Sequence, residues 1–151
     1  METLFAKQDR LLLLTSTEII RTLMHRINWD AQLVAIRGPR GVGKTTLMLQ
    51  YMKLHYEVYS REVLYCTLDS VYFSNHTLLE LADVFVKNGG KHLFLDEVHK
   101  YPTWSKEIKE VYDMYPDLKV VFSASSLLNI LNADADSVSY THLRAHETGA
   151  Y

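Results

Sequence analysis

A glycine-rich segment at residues 38–45 has the residue types and spacing that bind phosphate. It fits the pattern G-x-x-x-x-G-K-[ST], in which glycines let a ligand come close and backbone N–H groups form an anion-binding nest. Lys44 can reach the outer phosphates of a nucleotide, and the Thr45 hydroxyl can bind Mg²⁺. The pattern predicts the following phosphate-site residues: Gly38, Pro39, Arg40, Gly41, Val42, Gly43, Lys44, Thr45 and Thr46.

Two carboxylates, Asp96 and Glu97, supply the other half of such a site. They follow the apolar run 93–95, which is typical of a parallel strand buried on both faces. Asp96 can hold Mg²⁺, directly or through water, and Glu97 can orient and deprotonate an attacking water. An acidic strand end is a weak signal alone. About 50 residues after a phosphate loop, it predicts a site that hydrolyses a nucleotide.

Polar side chains also follow two further predicted strands. Ser123 and Ser125 end one apolar run, where a hydroxyl could contact the terminal phosphate or the attacking water. The alternative is that Ser125 caps the next helix. Asp69 ends another run and could touch a ligand, although a turn-forming aspartate is the favoured interpretation.

Alternating elements must position these groups. Strand-like residues precede the phosphate loop and helix-like residues follow it, which is the context that the pattern requires. The alternation predicts a three-layer α/β protein in which helices flank a parallel sheet with right-handed crossovers, and the phosphate-loop pattern within it indicates a P-loop NTPase fold. Strands are expected at 32–37, 63–68, 93–95 and 118–122, and helices at 17–27, 46–53, 78–86 and 104–115.

The residues before the first strand carry two helical patterns. Residues 2–14 mix apolar and charged positions, so they form either a helix packed outside the core or an N-terminal arm. Cap residues at 15–17 and apolar spacing up to residue 27 predict the helix 17–27. Arg21 and Arg26 fall on its polar side, which indicates a solvated helix face rather than ligand contacts.

Composition bounds the class of protein. With 48% hydrophobic and 23% charged residues, the chain resembles an ordinary globular domain that can bury a core. The formal charge of −2 gives no overall basic field for nucleic acid, and the single cysteine excludes an internal disulfide. No secretory signal or membrane-spanning run is visible, so membrane insertion is not expected and the predicted location is the cytoplasm.

Three segments together resemble a known family. Residues 38–46, residues 93–102 with Trp104, and residues 116–122 with Ser125 and Ser126 are similar to the prokaryotic AAA-type P-loop ATPases whose longer members end in a DUF4143 domain. The resemblance extends over about residues 10–136. It implies an ATP-binding core, Mg²⁺-dependent hydrolysis and a fifth strand after the fourth. Residue by residue, it implies Lys44 on the phosphates, Thr45 and Asp96 on Mg²⁺, Glu97 as base, and a polar sensor near Ser123 or Ser125.

The last residues depart from that family. Residues 138–148 resemble the translation of a sequencing adapter, so we expect the natural reading frame to stop near Asp136. On this reading, residues 1–136 are the N-terminal part of an AAA-type ATP-binding domain and residues 137–151 are a non-native tail. The fifth strand would then be absent and one sheet edge unpaired.

The resulting functional prediction is ATP binding with Mg²⁺-dependent hydrolysis, weak or inactive in this fragment. One alternative is a nucleotide-gated switch that acts on a protein or DNA partner through the region beyond residue 136. Another is a phosphotransferase that uses the same loop, although the Asp96–Glu97 pair favours attack by water. The oligomeric state is left open.

Overall fold

The structure is a computed structural model that describes residues 1–39 and 43–125, together with the backbone of residues 139–142. Helices and strands alternate as predicted, and residues 2–14 form a helix rather than an arm. Two short 3₁₀ turns lie at Val71–Ser74 and Val98–Lys100. The other elements are α1 (Glu2–Leu14), α2 (Leu23–Arg26), β1 (Leu33–Arg37), α3 (Lys44–His55), β2 (Val63–Thr67), α4 (Leu78–Lys87), β3 (His92–Asp96), α5 (Trp104–Met114), β4 (Lys119–Ala124) and β5 (Ser139–His142).

The described strands form one parallel sheet in the order β2-β3-β4-β1-β5. Strand β4 therefore lies between β1, which leads into the phosphate loop, and β3, which ends in the carboxylates. Arg37 at the end of β1 is level with Ala124 at the end of β4. Because parallel strands end at the same edge of a sheet, the loop and the carboxylates meet at one crevice.

Helices cover both faces of the sheet and produce two apolar cores. On one face, α4 and α5 pack against strand residues such as Leu93 and Phe122. On the other face, α2 and α3 pack with Trp29 against residues such as Val34 and Phe94. Alternate strand residues point to opposite faces, so continuous apolar strands fill both cores at once. The three-layer α/β architecture predicted from the sequence is confirmed.

Helix α1 closes the β2 edge of the sheet through one glutamine. The Gln8 side chain is buried, its Nε2 donates to Val63 O at 3.1 Å, and its Oε1 accepts from Tyr65 N at 2.7 Å. One amide thus satisfies an N–H and a C=O that an edge strand would leave unpaired. A bidentate pair between Arg61 and Asp9, with N–O distances of 3.2 and 3.1 Å, also ties α1 to the segment before β2.

The helix predicted at 17–27 is wrong over most of its length. Only α2, at 23–26, is helical, and residues 15–20 follow an irregular path. Gln50 of α3 explains the difference, because its Nε2 donates to Ser16 O and to Ile19 O, each at 2.9 Å. Those carbonyls are tied to α3, so a tertiary contact overrides the local helical spacing.

A fifth strand is present, which corrects the expectation of an unpaired sheet edge. Strand β5 runs parallel to β1, with residue 140 opposite Ala35. The sequence around it alternates β-branched and aromatic residues with polar ones, a pattern that suits an edge strand. The domain boundary near Asp136 and the non-native origin of residues 137–151 stay predictions.

His92 is a buried titratable group at the start of β3. Its side chain packs against Phe94, with ring centroids 4.4 Å apart, and lies edge-on to Tyr51. Its Nδ1 is 2.8 Å from the Tyr56 hydroxyl. Burial, together with repulsion from Lys119, lowers the pKa of His92 to about 4 from an ordinary 6.5, with a smaller opposing effect of Asp30.

Acid is therefore expected to destabilise the fold through His92. Between pH 6.5 and about 4 the unfolded chain holds a proton that the folded chain lacks, so stability falls as the pH falls and then levels off. The full shift corresponds to about 3 kcal/mol. Urea unfolding at stepped pH values measures the loss, with His92→Asn as comparison because asparagine keeps a polar partner for Tyr56. Equal acid sensitivity of the two proteins would contradict this assignment.

Candidate functional site

The phosphate loop lies between β1 and α3, as the sequence pattern requires. Gly38 and Pro39 follow β1, and α3 begins at Lys44 directly after Gly43. Three residues predicted to belong to the site, Arg40, Gly41 and Val42, lie outside the described residues. The first turn of α3 directs its free N–H groups and the positive end of its dipole towards the loop, which favours an anion there.

Gly43 is favoured at this position by its backbone conformation. Its φ of +88° lies in the left-handed region, where a side chain is strained. A Cβ at this position would lie 2.2 Å from Nη2 of Arg21, the end of a flexible side chain that can shift, so this contact shows how closely Arg21 approaches the loop. Arg21 is half-buried against the loop, so the interpretation of this arginine as a solvated helix-face residue is wrong. The sequence offered no signal for this contact, since it depends on the irregular path of residues 15–20.

Lys44 lies at the crevice with its ammonium bonded to loop carbonyls. Its Nζ donates to Gly38 O and, at 3.3 Å, to Pro39 O. Burial lowers the pKa of Lys44, while attraction to Asp96 and Glu97 opposes that effect. These loop carbonyls are weak neutral partners for a cation, so the ammonium can exchange them for phosphate oxygens at little cost.

Asp96 is the centre of a hydrogen-bond network at the end of β3. The residue is 3% exposed, and its Oδ2 accepts from Thr45 Oγ1 at 2.5 Å and from the Tyr65 hydroxyl at 2.6 Å. Its Oδ1 accepts from Ser123 Oγ. The structure thus brings together Thr45 and Asp96, the two residues predicted to bind Mg²⁺ from opposite halves of the site.

Tyr65 is a site residue that the sequence analysis missed. Burial, and then repulsion from Asp96, raises the pKa of Tyr65, so its hydroxyl keeps its proton and donates to the carboxylate. In the sequence it is only one aromatic residue within an apolar strand. The available signal is the parallel register, in which Thr67 of β2 is level with Asp96 of β3. This register can be used only after β2 and β3 are known to be neighbours in the sheet.

Glu97 has a left-handed backbone, with φ 51° and ψ 48°. Few non-glycine residues adopt this conformation, and such strain tends to occur at functional sites. The Glu97 N–H donates to Ser123 Oγ at 2.9 Å and to Asp96 Oδ1 at 3.1 Å, which holds the turn in place. Its Oε2 accepts from Thr67 Oγ1 at 3.3 Å. The carboxylate is therefore oriented by a neighbouring strand.

These groups line one cleft of about 520 Å³, within the usual range for small-molecule sites. Ser125 lies on its wall, whereas Ser123 is fully buried behind the carboxylates and contacts Asp96 and Glu97 instead. The cleft is lined by Gly43, Lys44, Thr45, Thr46, Asp96, Glu97, His99, Lys100 and Ser125.

The donor set of the cleft fits Mg²⁺ bound together with a phosphate. Thr45 and Asp96 offer a hydroxyl and a carboxylate oxygen side by side, the hard ligands that this ion prefers. Among the described residues, no three His, Cys, Asp or Glu side chains group into a metal site. A magnesium ion would therefore complete its shell with water and phosphate oxygens, as is usual for this ion.

The fold defines the class: an α/β domain of the P-loop NTPase type, with the cleft at the carboxyl ends of its strands. More particularly, residues 30–145 match the family model described as AAA domain, and the chain belongs to that family. The family implies use of a nucleotide, typically with Mg²⁺. The link to members with a DUF4143 domain and the adapter origin of the tail stay predictions.

Comparison with solved structures concerns the fold alone. The structure of C. elegans PCH-2 matches with a TM-score of 0.50 and 14% sequence identity, covering 93% of this chain and 41% of that one. The chain thus spans less than half the length of that structure. No curated protein matches the chain. Of the helices in the described residues, none combines the length and apolar character that crossing a membrane requires.

Proposed function

We propose that the chain binds ATP with Mg²⁺ and hydrolyses it by attack of water on the terminal phosphate. The observation that carries the proposal is the contact between Thr45 and Asp96 within one cleft. A phosphate loop and a carboxylate strand end are far apart in sequence and come together only if the fold builds a site from both. Membership of the AAA domain family supports the same conclusion.

Each residue has a distinct role in this proposal. The loop N–H groups and the start of α3 hold the inner phosphates, and Lys44 binds the outer ones. Thr45 and Asp96 hold Mg²⁺, while Tyr65 and Ser123 position Asp96 by donating to its two oxygens. When bound, Mg²⁺ would neutralise charge on the phosphate oxygens.

Glu97 is the proposed general base. Its carboxylate lines the cleft, and the hydrogen bond from Thr67 fixes its direction. It would orient the water and hold the proton that the water loses. Ser125, on the wall of the cleft, is the better placed of the two predicted sensors. Turnover in this chain is proposed to be slow, with an arginine supplied by a partner or by residues beyond this segment.

Binding is tested by thermal unfolding of the chain with 1 mM ATP and excess Mg²⁺. For a dissociation constant near 10 μM, the expected stabilisation is about 3 kcal/mol, which raises the melting temperature by roughly 5–10 °C. Adenosine should have no effect, and EDTA should remove most of the shift. A folded chain whose melting temperature does not respond to Mg-ATP would refute the proposal.

A further inference from the structure

His99 lies in the same cleft as the proposed base but has no role in the mechanism so far. Its side chain lines the cleft together with Lys44 and Glu97. The residue is half-buried, and its Nδ1 is buried without a hydrogen-bond partner among the residues that the structure describes. Because Nδ1 is buried and Nε2 is not among the buried unpartnered atoms of the described residues, Nε2 is the ring nitrogen available to a ligand.

Local backbone geometry directs His99 into the cleft. The left-handed turn at Glu97 ends β3, and the 3₁₀ turn Val98–Lys100 follows at once. Val98 is fully buried in the core, which anchors the middle of this turn. The residue on either side of Val98 is therefore held at the cleft, so Glu97 and His99 are presented from the same wall.

The buried Nδ1 decides which ring nitrogen can serve a ligand. An unpaired N–H in a buried position is more costly than an unpaired acceptor, so the neutral tautomer that carries its hydrogen on Nε2 is favoured. The lone pair then lies on the buried Nδ1. The remaining nitrogen, Nε2–H, is then the donor that the ring can offer to a ligand in the cleft that His99 lines.

We propose that His99 donates a hydrogen bond to the terminal phosphate of the bound nucleotide, and so distinguishes a nucleoside triphosphate from a diphosphate. This inference rests on the proposed function. The phosphate loop and the start of α3 hold the inner phosphates from one wall of the cleft. His99 reaches the cleft from the turn after β3, two residues from Glu97, the proposed base for attack on the terminal phosphate.

The test compares affinities for Mg-ATP and Mg-ADP in the whole chain and two variants, by calorimetric titration. His99→Leu is expected to weaken Mg-ATP binding by about 10- to 100-fold, the usual effect of losing a hydrogen bond to a charged group, and Mg-ADP binding by less than about twofold. His99→Gln keeps an N–H donor near the position of Nε2, so it should retain most of the preference for the triphosphate. His76→Leu is the matched control, because His76 is exposed and stacks on Tyr72 away from the cleft.

The outcomes separate this inference from the proposed function. If His99→Leu leaves the ratio of the two affinities unchanged, or if His99→Gln loses as much as His99→Leu, the assignment of His99 is overturned while nucleotide binding stands. If the unmodified chain binds neither nucleotide, the proposed function fails first and the inference fails with it. Should His99→Leu not fold, as judged by circular dichroism, the comparison of His99→Gln with His99→Ala decides in its place.

Discussion

Replacing Lys44 by alanine is expected to remove the stabilisation of the chain by Mg-ATP. The ammonium supplies charge-assisted hydrogen bonds to the phosphates, each worth about 1.5–3 kcal/mol, so affinity should fall by about 100-fold or more. Lys100, the other lysine that lines the cleft in the described residues, belongs to the turn after β3 and not to the phosphate loop. At 1 mM nucleotide the shift in melting temperature should then nearly vanish.

The control for Lys44→Ala must separate a lost ligand contact from a damaged loop. Without nucleotide, Lys44 donates to Gly38 O and Pro39 O, so its removal also frees two loop carbonyls. Pro39 is exposed but Gly38 is buried, so losing the bond to Gly38 O should cost about 1 kcal/mol, and we expect the melting temperature without nucleotide to fall by about 2–4 °C. Lys106→Ala, an exposed change on α5, should respond to Mg-ATP like the original chain. An undiminished response in Lys44→Ala would refute the assigned phosphate contact.

The two halves of the site were predictable because each is encoded in a short segment. The glycine pattern needs only a strand before it and a helix after it, and apolar residues before Asp96 are enough to predict a buried strand. Parallel strands end at one edge, so the meeting of Thr45 with Asp96 follows from the fold class. The identity of the strand between them does not follow from these local patterns.

The groups that support the site were not predictable, because they depend on which elements are neighbours. Tyr65 can contact Asp96 only because β2 lies next to β3 in the observed register. Gln50 of α3 donates to two carbonyls of residues 16–19, so most of the helix expected at 17–27 does not form. Arg21 approaches Gly43 from the resulting irregular segment. Each of these contacts joins residues far apart in the sequence, which single-sequence patterns cannot register, and the contact of Gln50 also overrides a local helical propensity.

Replacing Glu97 by glutamine is expected to lower the hydrolysis rate by about 10²- to 10⁴-fold while Mg-ATP still binds. Glutamine has nearly the same size as glutamate and can accept the hydrogen bond from Thr67. The left-handed backbone at this position is equally strained with either side chain. It cannot hold the proton that the attacking water loses. Removing one negative charge from the cleft should leave the thermal shift with Mg-ATP unchanged or slightly larger.

A single-turnover experiment with protein in excess over labelled ATP suits a slow enzyme, because the phosphate released from one round is counted directly. Asp69→Asn is the matched control: it makes the same carboxylate-to-amide change at an exposed turn after β2, where Asp69 N donates to Thr67 Oγ1. If Asp69→Asn slows phosphate release as much as Glu97→Gln does, the effect is not specific to the Glu97 carboxylate and the assignment of Glu97 as the base is refuted. If only Glu97→Gln slows it and the thermal shift survives, the carboxylate at the end of β3 acts on the water itself.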